Sequence, residues 1–150
     1  MNEHAHVPAP ALTSEDAKHL TWLSWGHYAV AALTALIGCF PLIHFFVGVG
    51  MLSGQMGDAP AGMGVFFITI ATALIGFFWS VAGVTAYAGK CLAERRKRTL
   101  CFVVAIIQAV FFQPFGAVLG ILSILVLQRP GVKAAFEQAE HPVATRPLAF

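Results

Sequence analysis

TLCFVVAIIQAVFFQPFGAVLGILSILVLQ, residues Thr99–Gln128, decides the fold, because its 30 residues carry no formal charge. One transmembrane helix needs only about 20 apolar residues to cross a bilayer. Pro114 lies near the middle of the stretch, where it can interrupt a helix. The stretch therefore predicts an integral membrane protein whose last apolar region is either one tilted helix or two shorter helices.

The whole composition agrees with lipid as the main solvent. Hydrophobic residues make up 58% of the chain and charged residues 11%, and the mean hydropathy is +0.77. A soluble domain has roughly 25% charged residues. The net charge of +2 is not a nucleic-acid signal, because most of it lies in one short loop. These values predict a single all-α membrane domain and no nucleic-acid partner.

We predict a small helical bundle of three transmembrane segments, or four if the third region breaks at Pro114. The segments are a flexible polar tail at 1–18, a first span at 29–52, a second span at 64–89, a basic loop at 90–98, the third region at 99–128 and a flexible tail at 137–150. Thr13 or Ser14, followed by two acids, is a plausible start of a helix. Trp22, Trp25 and Tyr28 are expected at headgroup level, as the first turns of the first helix or as a short surface helix.

The third region has two possible endings. As one tilted helix it places Arg129 and Lys133 on the far side of the membrane, and as a hairpin it returns them to the side of the basic loop. Length favours one helix. Proline disfavours α conformation in the preceding residue, and Phe115-Gly116 permits a turn. We favour the break, with halves at 99–112 and 115–128.

The loop at 90–98 indicates the topology. It contains Glu94 and five basic residues, for a net charge of +4; the basic residues are Lys90, Arg95, Arg96, Lys97 and Arg98. Positive charge is concentrated in cytoplasmic loops. The sequence thus predicts an inner (plasma) membrane protein with a cytoplasmic loop and a cytoplasmic N-terminus, and a basic loop that attracts anionic lipid headgroups.

Three polar residues fall at apparent membrane depth. His44 follows Pro41, and its ring either donates to a backbone carbonyl that the proline frees or serves a function. Gln108 and Gln113 either form hydrogen bonds between helices or line a polar pathway together with His44. The sequence leaves both alternatives open for each residue.

Small residues at spacings of three and four predict faces for close helix packing. In the second span these are Gly76, Ser80 and Gly83. In the third region they are Gly116 and Gly120, with Ala105, Ala109 and Ser123 nearby. Helix packing is the favoured interpretation of these faces.

The ending from Phe112 to Phe136, FQPFGAVLGILSILVLQRPGVKAAF, resembles those of small bacterial inner-membrane proteins whose function is unassigned. The shared pattern is Pro114-Phe115-Gly116, a second glycine at Leu119-Gly120, a leucine-rich run and an exit at Pro130 and Val132. The resemblance implies an architecture and no activity.

The sequence therefore favours a non-enzymatic membrane protein that packs against itself as a homo-oligomer or against a larger membrane-protein partner in the lipid bilayer. The alternative is a small transporter or channel component that acts as a homo-oligomer. Haem binding would require axial ligands from facing helices, and His27 and His44 occupy very different depths of one helix. We expect no cofactor, no metal and no catalytic residues.

Overall fold

The computed structural model describes residues 11–57, 60–111 and 114–140, with Phe115 described by its backbone alone. All regular structure in these residues is α-helical. The helices are α1 (Ser14–Ile37), α2 (Pro41–Leu52), α3 (Ala61–Ala93), α4 (Arg98–Phe111), α5 (Phe115–Leu127) and α6 (Pro130–Glu140). The protein is thus all-helical, as predicted.

Two stretches are long and apolar enough to cross a membrane: Ser14–Leu52, which combines α1 and α2, and Ala61–Ala93. The count rises to three if Gly116–Leu127 and Pro130–Glu140, which are bent by 78°, form one span. Helix α4 is apolar but shorter. The length and hydropathy of the helices, like the composition, therefore indicate a membrane protein.

Helix α1 starts at Ser14, where the sequence predicts a helix start. The helix therefore includes the end of the polar tail predicted for 1–18 and begins ahead of the span predicted at 29–52. The Asp16 backbone N–H donates to the Thr13 hydroxyl at 3.1 Å, which is a helix N-cap. Glu15 and Asp16 in the first turn also suit the positive end of the helix dipole. Charged residues therefore extend the helix where their polarity suggested a tail.

Pro41 ends one helix and begins another. The Cys39 and Phe40 N–H groups donate to Leu36 and Ile37, three residues back, at 3.0 Å each. Pro41 then occupies the first position of α2, where a missing N–H leaves no bond unmade. The carbonyl of Ile37, four residues before the proline, accepts from Phe40. The backbone groups around the break therefore form hydrogen bonds with one another.

The basic loop is shorter than predicted. Lys90 and the next three residues belong to α3, and Arg98 begins α4, so only residues 94–97 form the turn. Helix α6 reaches Glu140. The predicted tail at 137–150 is therefore helical through residue 140, and its remainder lies outside the described residues.

The chain divides into two compact units: Met1–His27 with Tyr87–Phe150, and Tyr28–Ala86. The first unit has a buried apolar core to which five helices contribute. Its members are Leu20, Leu23, Cys91, Leu92, Cys101, Val126, Leu127, Val132 and Phe136. In the second unit α2 lies against α3, with Gly48 beside Gly64.

The third apolar region is two helices, α4 and α5, that pack against each other within the first unit. Arg98, at the start of α4, donates two hydrogen bonds to the carbonyl of Leu127, at the end of α5. Arg129 pairs with Asp16 at the start of α1 at 2.7 Å. The start of α1, the basic turn and the end of α5 therefore lie at one end of this unit, as a hairpin requires.

Candidate functional site

The predicted packing face of α3 is open. A methyl group added at Gly76 or at Gly83 would meet no atom of the described chain within 4 Å. Ser80 lies between them, is exposed, and donates its hydroxyl to the Gly76 carbonyl of its own helix at 2.7 Å. The three residues form one smooth face that nothing in the described chain covers.

The predicted face of the third region is closed. A methyl group at Gly120 would collide with the Ala105 carbonyl oxygen and lie 2.8 Å from the Ala109 nitrogen. Gly116, one turn away on α5, is buried. These small residues let α4 and α5 approach closely, and the chain itself supplies both sides of the contact.

A second closed crossing, in the other unit, was missed by the sequence analysis. A methyl group at Gly48 would lie 2.8 Å from the Gly64 carbonyl oxygen, and one at Gly64 would lie 2.9 Å from the Gly48 carbonyl oxygen. The available signal was the Gly48-Val49-Gly50 sequence inside an apolar helix, where glycine is costly unless a neighbour approaches.

His44 lies among aromatic rings. Its imidazole stacks on Phe67 at 6.0 Å between ring centroids and meets Phe40 at 5.8 Å. These residues line a cavity of about 200 Å³ together with Pro41. The Phe40 N–H donates to the Ile37 carbonyl, which lies four residues before Pro41, and both alternatives for His44 stay predictions.

The three predicted polar residues are not brought together as one described site. Gln108 is 1% exposed in α4 and belongs to the first unit, whereas His44 belongs to the second unit. Gln113 lies outside the described residues. A polar pathway shared by the three stays a prediction.

His27, which the sequence analysis considered only as a haem ligand, is a buried polar residue. It is 0% exposed, and its Nδ1 lies 2.8 Å from the Leu23 carbonyl oxygen. A carbonyl only accepts, so Nδ1 carries the proton and Nε2 of the neutral ring is an acceptor. Nε2 is buried without a hydrogen-bond partner among the described residues. The neighbouring Trp22 and Trp25 indicated an exposed interface, so nothing in the sequence indicated that His27 is buried.

All five predicted headgroup residues are exposed or half-exposed at the polar end of the first unit. Lys90 and Arg96 make only long contacts with Glu94, at 3.7 and 3.9 Å. Lys97 donates from Nζ to the Tyr87 hydroxyl at 2.9 Å, which raises the pKa of the lysine and keeps it charged. Its backbone N–H donates to Glu140 at 2.9 Å.

Arg95 has an unusual backbone conformation. It adopts φ of +54°, the left-handed region that glycine favours. Its N–H donates to Leu92 and the Arg96 N–H donates to Cys91. This pair of bonds is the Schellman motif that ends α3, with arginine at the position where glycine is preferred.

Arg98 differs from the other basic residues because it has a structural partner. Its Nε and Nη2 donate to the Leu127 carbonyl oxygen at 3.2 and 2.8 Å. The end of α5 is thereby held against the start of α4. Sequence position alone did not separate this arginine from its neighbours.

Asp16 and Arg129 form a charged pair that the sequence analysis did not predict. Asp16 precedes the apolar part of α1, and its carboxylate accepts a hydrogen bond from Nη1 of Arg129 at 2.7 Å. A methyl group at Gly131 would lie 3.2 Å from the Ala11 carbonyl oxygen. Two helix ends therefore meet closely at this pair.

Comparison with protein-family models, with curated proteins and with solved structures finds no match for this chain.

Proposed function

We propose that this protein is a non-enzymatic component of a bacterial inner membrane that associates through the open face of α3. The partner helix belongs to a second copy or to a larger membrane protein, for which this chain is an accessory subunit. The observation that carries the proposal is the contrast between the glycines: those at Gly48, Gly64 and Gly120 are covered by the chain, and those at Gly76 and Gly83 are not.

The uncovered glycines of α3 weaken the helix that contains them. Glycine in a helix interior costs about 1 kcal/mol relative to alanine, and two such residues on one face of α3 gain no contact within the described chain. Apolar side chains gain little by leaving lipid, so membrane helices associate where small residues let backbones approach. A partner helix on this face would supply the missing contact.

The test is particle mass and composition of the purified protein in mild detergent, measured by native mass spectrometry. Gly76→Leu and Gly83→Leu should each weaken the assembly about fivefold or more, because a larger side chain forced into a close contact costs on the order of 1–3 kcal/mol. Leu74→Phe is the matched control, since residues two positions apart lie on nearly opposite sides of a helix. Assembly by both glycine variants at wild-type strength would contradict the proposal.

The proposed orientation places the N-terminus and the basic turn in the cytoplasm, with the region from Arg129 onward on the same side. It is supported by the positive charge of the turn and by the Asp16–Arg129 contact. Arg96→Cys and Glu137→Cys should therefore both resist an impermeant thiol reagent applied from outside intact cells. Labelling of Glu137→Cys alone would indicate that the third region crosses once.

A second candidate function, a small transporter or channel component acting as a homo-oligomer, is favoured by the buried Nε2 of His27. An ionisable group inside a membrane segment commonly marks a pathway. The test is proton flux into liposomes that contain the protein, driven by a potassium diffusion potential. His27→Leu should abolish the flux and His44→Leu should preserve it; no flux through the wild-type protein would remove this candidate.

A further inference from the structure

A groove opens at the polar end of the hairpin, between the first turn of α4 and the end of α5. It has a volume of about 290 Å³ and is lined by Arg98, Thr99, Phe102 and Gln128. All four residues belong to the first unit. The groove therefore lies within one packed body, and its volume approaches the lower end of the range for small-ligand sites.

The polar side of the groove carries hydrogen-bond donors and one fixed positive charge. The guanidinium of Arg98 is held at Nε and Nη2 by the Leu127 carbonyl, and its Nη1 remains for a ligand. The exposed Thr99 hydroxyl has no hydrogen-bond partner among the described residues, and Gln128 is exposed. None of the lining residues is an acid. A guanidinium with flanking donors suits a phosphate group.

The other side of the groove is apolar and continues along the hairpin. Phe102 is half-buried in the groove wall. Ile106 lies one turn further along α4 and is 43% exposed, and Leu125 and Ile121 on α5 are 57% and 54% exposed. A ligand that fits both sides has a phosphate at one end and a hydrocarbon chain at the other.

The surroundings are those of a membrane surface. On the same unit Trp22 and Trp25 are 77% and 71% exposed, and the Ser24 hydroxyl donates to the Gly89 carbonyl at 2.8 Å. That bond brings the two tryptophans to the level of Tyr87, which holds Lys97. Exposed tryptophan and tyrosine beside basic residues are typical of the headgroup region.

We propose that this groove binds the phosphodiester group of a membrane phospholipid. Arg98, Thr99 and Gln128 donate to the phosphate oxygens, and an acyl chain lies along Phe102 and Ile106. The inference requires that the helices lie in a membrane and does not depend on the proposed partner of α3. It separates Arg98 from the other cations, which attract the membrane surface without a defined site.

The experiment titrates dioleoyl phosphatidylglycerol into the detergent-solubilised full chain and measures lipid adducts by native mass spectrometry. Arg98→Gln should weaken binding roughly tenfold, as expected when one charge-assisted hydrogen bond is lost. Thr99→Val should weaken it about threefold. The second variant protects the test against misfolding, because the Thr99 hydroxyl has no described partner within the fold. Helix content by circular dichroism should be unchanged in Thr99→Val.

The matched control is Arg96→Gln, which removes the same charge from an exposed arginine outside the groove. Its affinity should remain within about twofold of wild type, an effect expected of a screened surface charge. An equal loss in Arg96→Gln and Arg98→Gln would overturn the proposal in favour of diffuse attraction. Unchanged binding by Thr99→Val and Arg98→Gln would also overturn it. Displacement of the lipid by millimolar inorganic phosphate would assign the groove to the free ion and not to a phospholipid.

Discussion

Gly120 on α5 and Gly76 on α3 have similar sequence surroundings and opposite environments. Each lies in a long apolar helix with another small residue three or four positions away. Yet a methyl group at Gly120 would strike the backbone of α4, and one at Gly76 would touch no described atom. The comparison shows that small-residue spacing identifies a smooth face but does not identify the helix that covers it.

The difference has a physical origin in chain connectivity. Helix α4 is joined to α5 by a short break at Pro114, so the chain itself brings Ala105 and Ala109 against Gly120. No such neighbour reaches the Gly76 face in the described chain. A covered face contributes to folding, and an open face is available for association; the two should respond differently to the same substitution.

The largest expected effect is that of Gly120→Leu. The added side chain has no space against the Ala105 carbonyl, so α4 and α5 must separate, and we expect a loss of about 3 kcal/mol or more of unfolding free energy. Gly76→Leu should instead raise the same quantity, by up to about 0.8 kcal/mol, because leucine favours the helix over glycine and the side chain meets no described atom. Denaturant unfolding in detergent micelles, followed by circular dichroism, measures both. Similar losses in the two variants would remove the distinction between covered and open faces.

Gly48→Ala extends the comparison to the other unit and should have an intermediate effect. One methyl group pressed against the Gly64 carbonyl should cost about 1–3 kcal/mol of unfolding free energy. Gly62→Ala is the control, because a methyl group there meets nothing within 4 Å and alanine favours the helix by up to roughly 1 kcal/mol. The two variants should therefore shift the unfolding midpoint in opposite directions. A stabilised Gly48→Ala protein would mean that α2 and α3 adjust easily.

The contact between Asp16 and Arg129 allows the contribution of charge to stability to be measured separately from that of helix packing. Because the pair requires a charged Asp16 carboxylate, its stabilisation is present at neutral pH and is lost when acid protonates that carboxylate. Asp16→Asn should remove this part of the acid sensitivity and reduce stability at neutral pH. Unfolding midpoints of both proteins between pH 7 and pH 2 provide the measurement; parallel pH curves would contradict a stabilising role for the pair.

Sequence reasoning predicted the class of fold and the break at Pro114, because hydropathy and proline chemistry act locally. It placed the end of α3 less well: the chain at Lys90 continues the helix, since basic residues suit the negative end of a helix dipole. The site was harder to predict. Gly120 and Gly76 differ only in what lies across from them, and Arg98 differs from Arg96 only through the Leu127 carbonyl. Contacts between residues that are far apart in sequence create these differences. The spacing of residues along one helix therefore cannot predict them.

Arg95 reverses the comparison and gives the smallest predicted effect. At Gly76 the chain has a glycine that its backbone does not require, and at Arg95 it has a side chain where the Schellman motif at the end of α3 favours glycine. Arg95→Gly should raise the unfolding free energy by about 1 kcal/mol, because glycine adopts this conformation without the steric cost of a Cβ atom. Arg95→Ala removes the same charge and keeps the Cβ atom, so its stability should stay near wild type. If both variants instead raise the unfolding free energy equally, Arg95 destabilises the protein through repulsion among the basic residues of the turn and not through backbone strain.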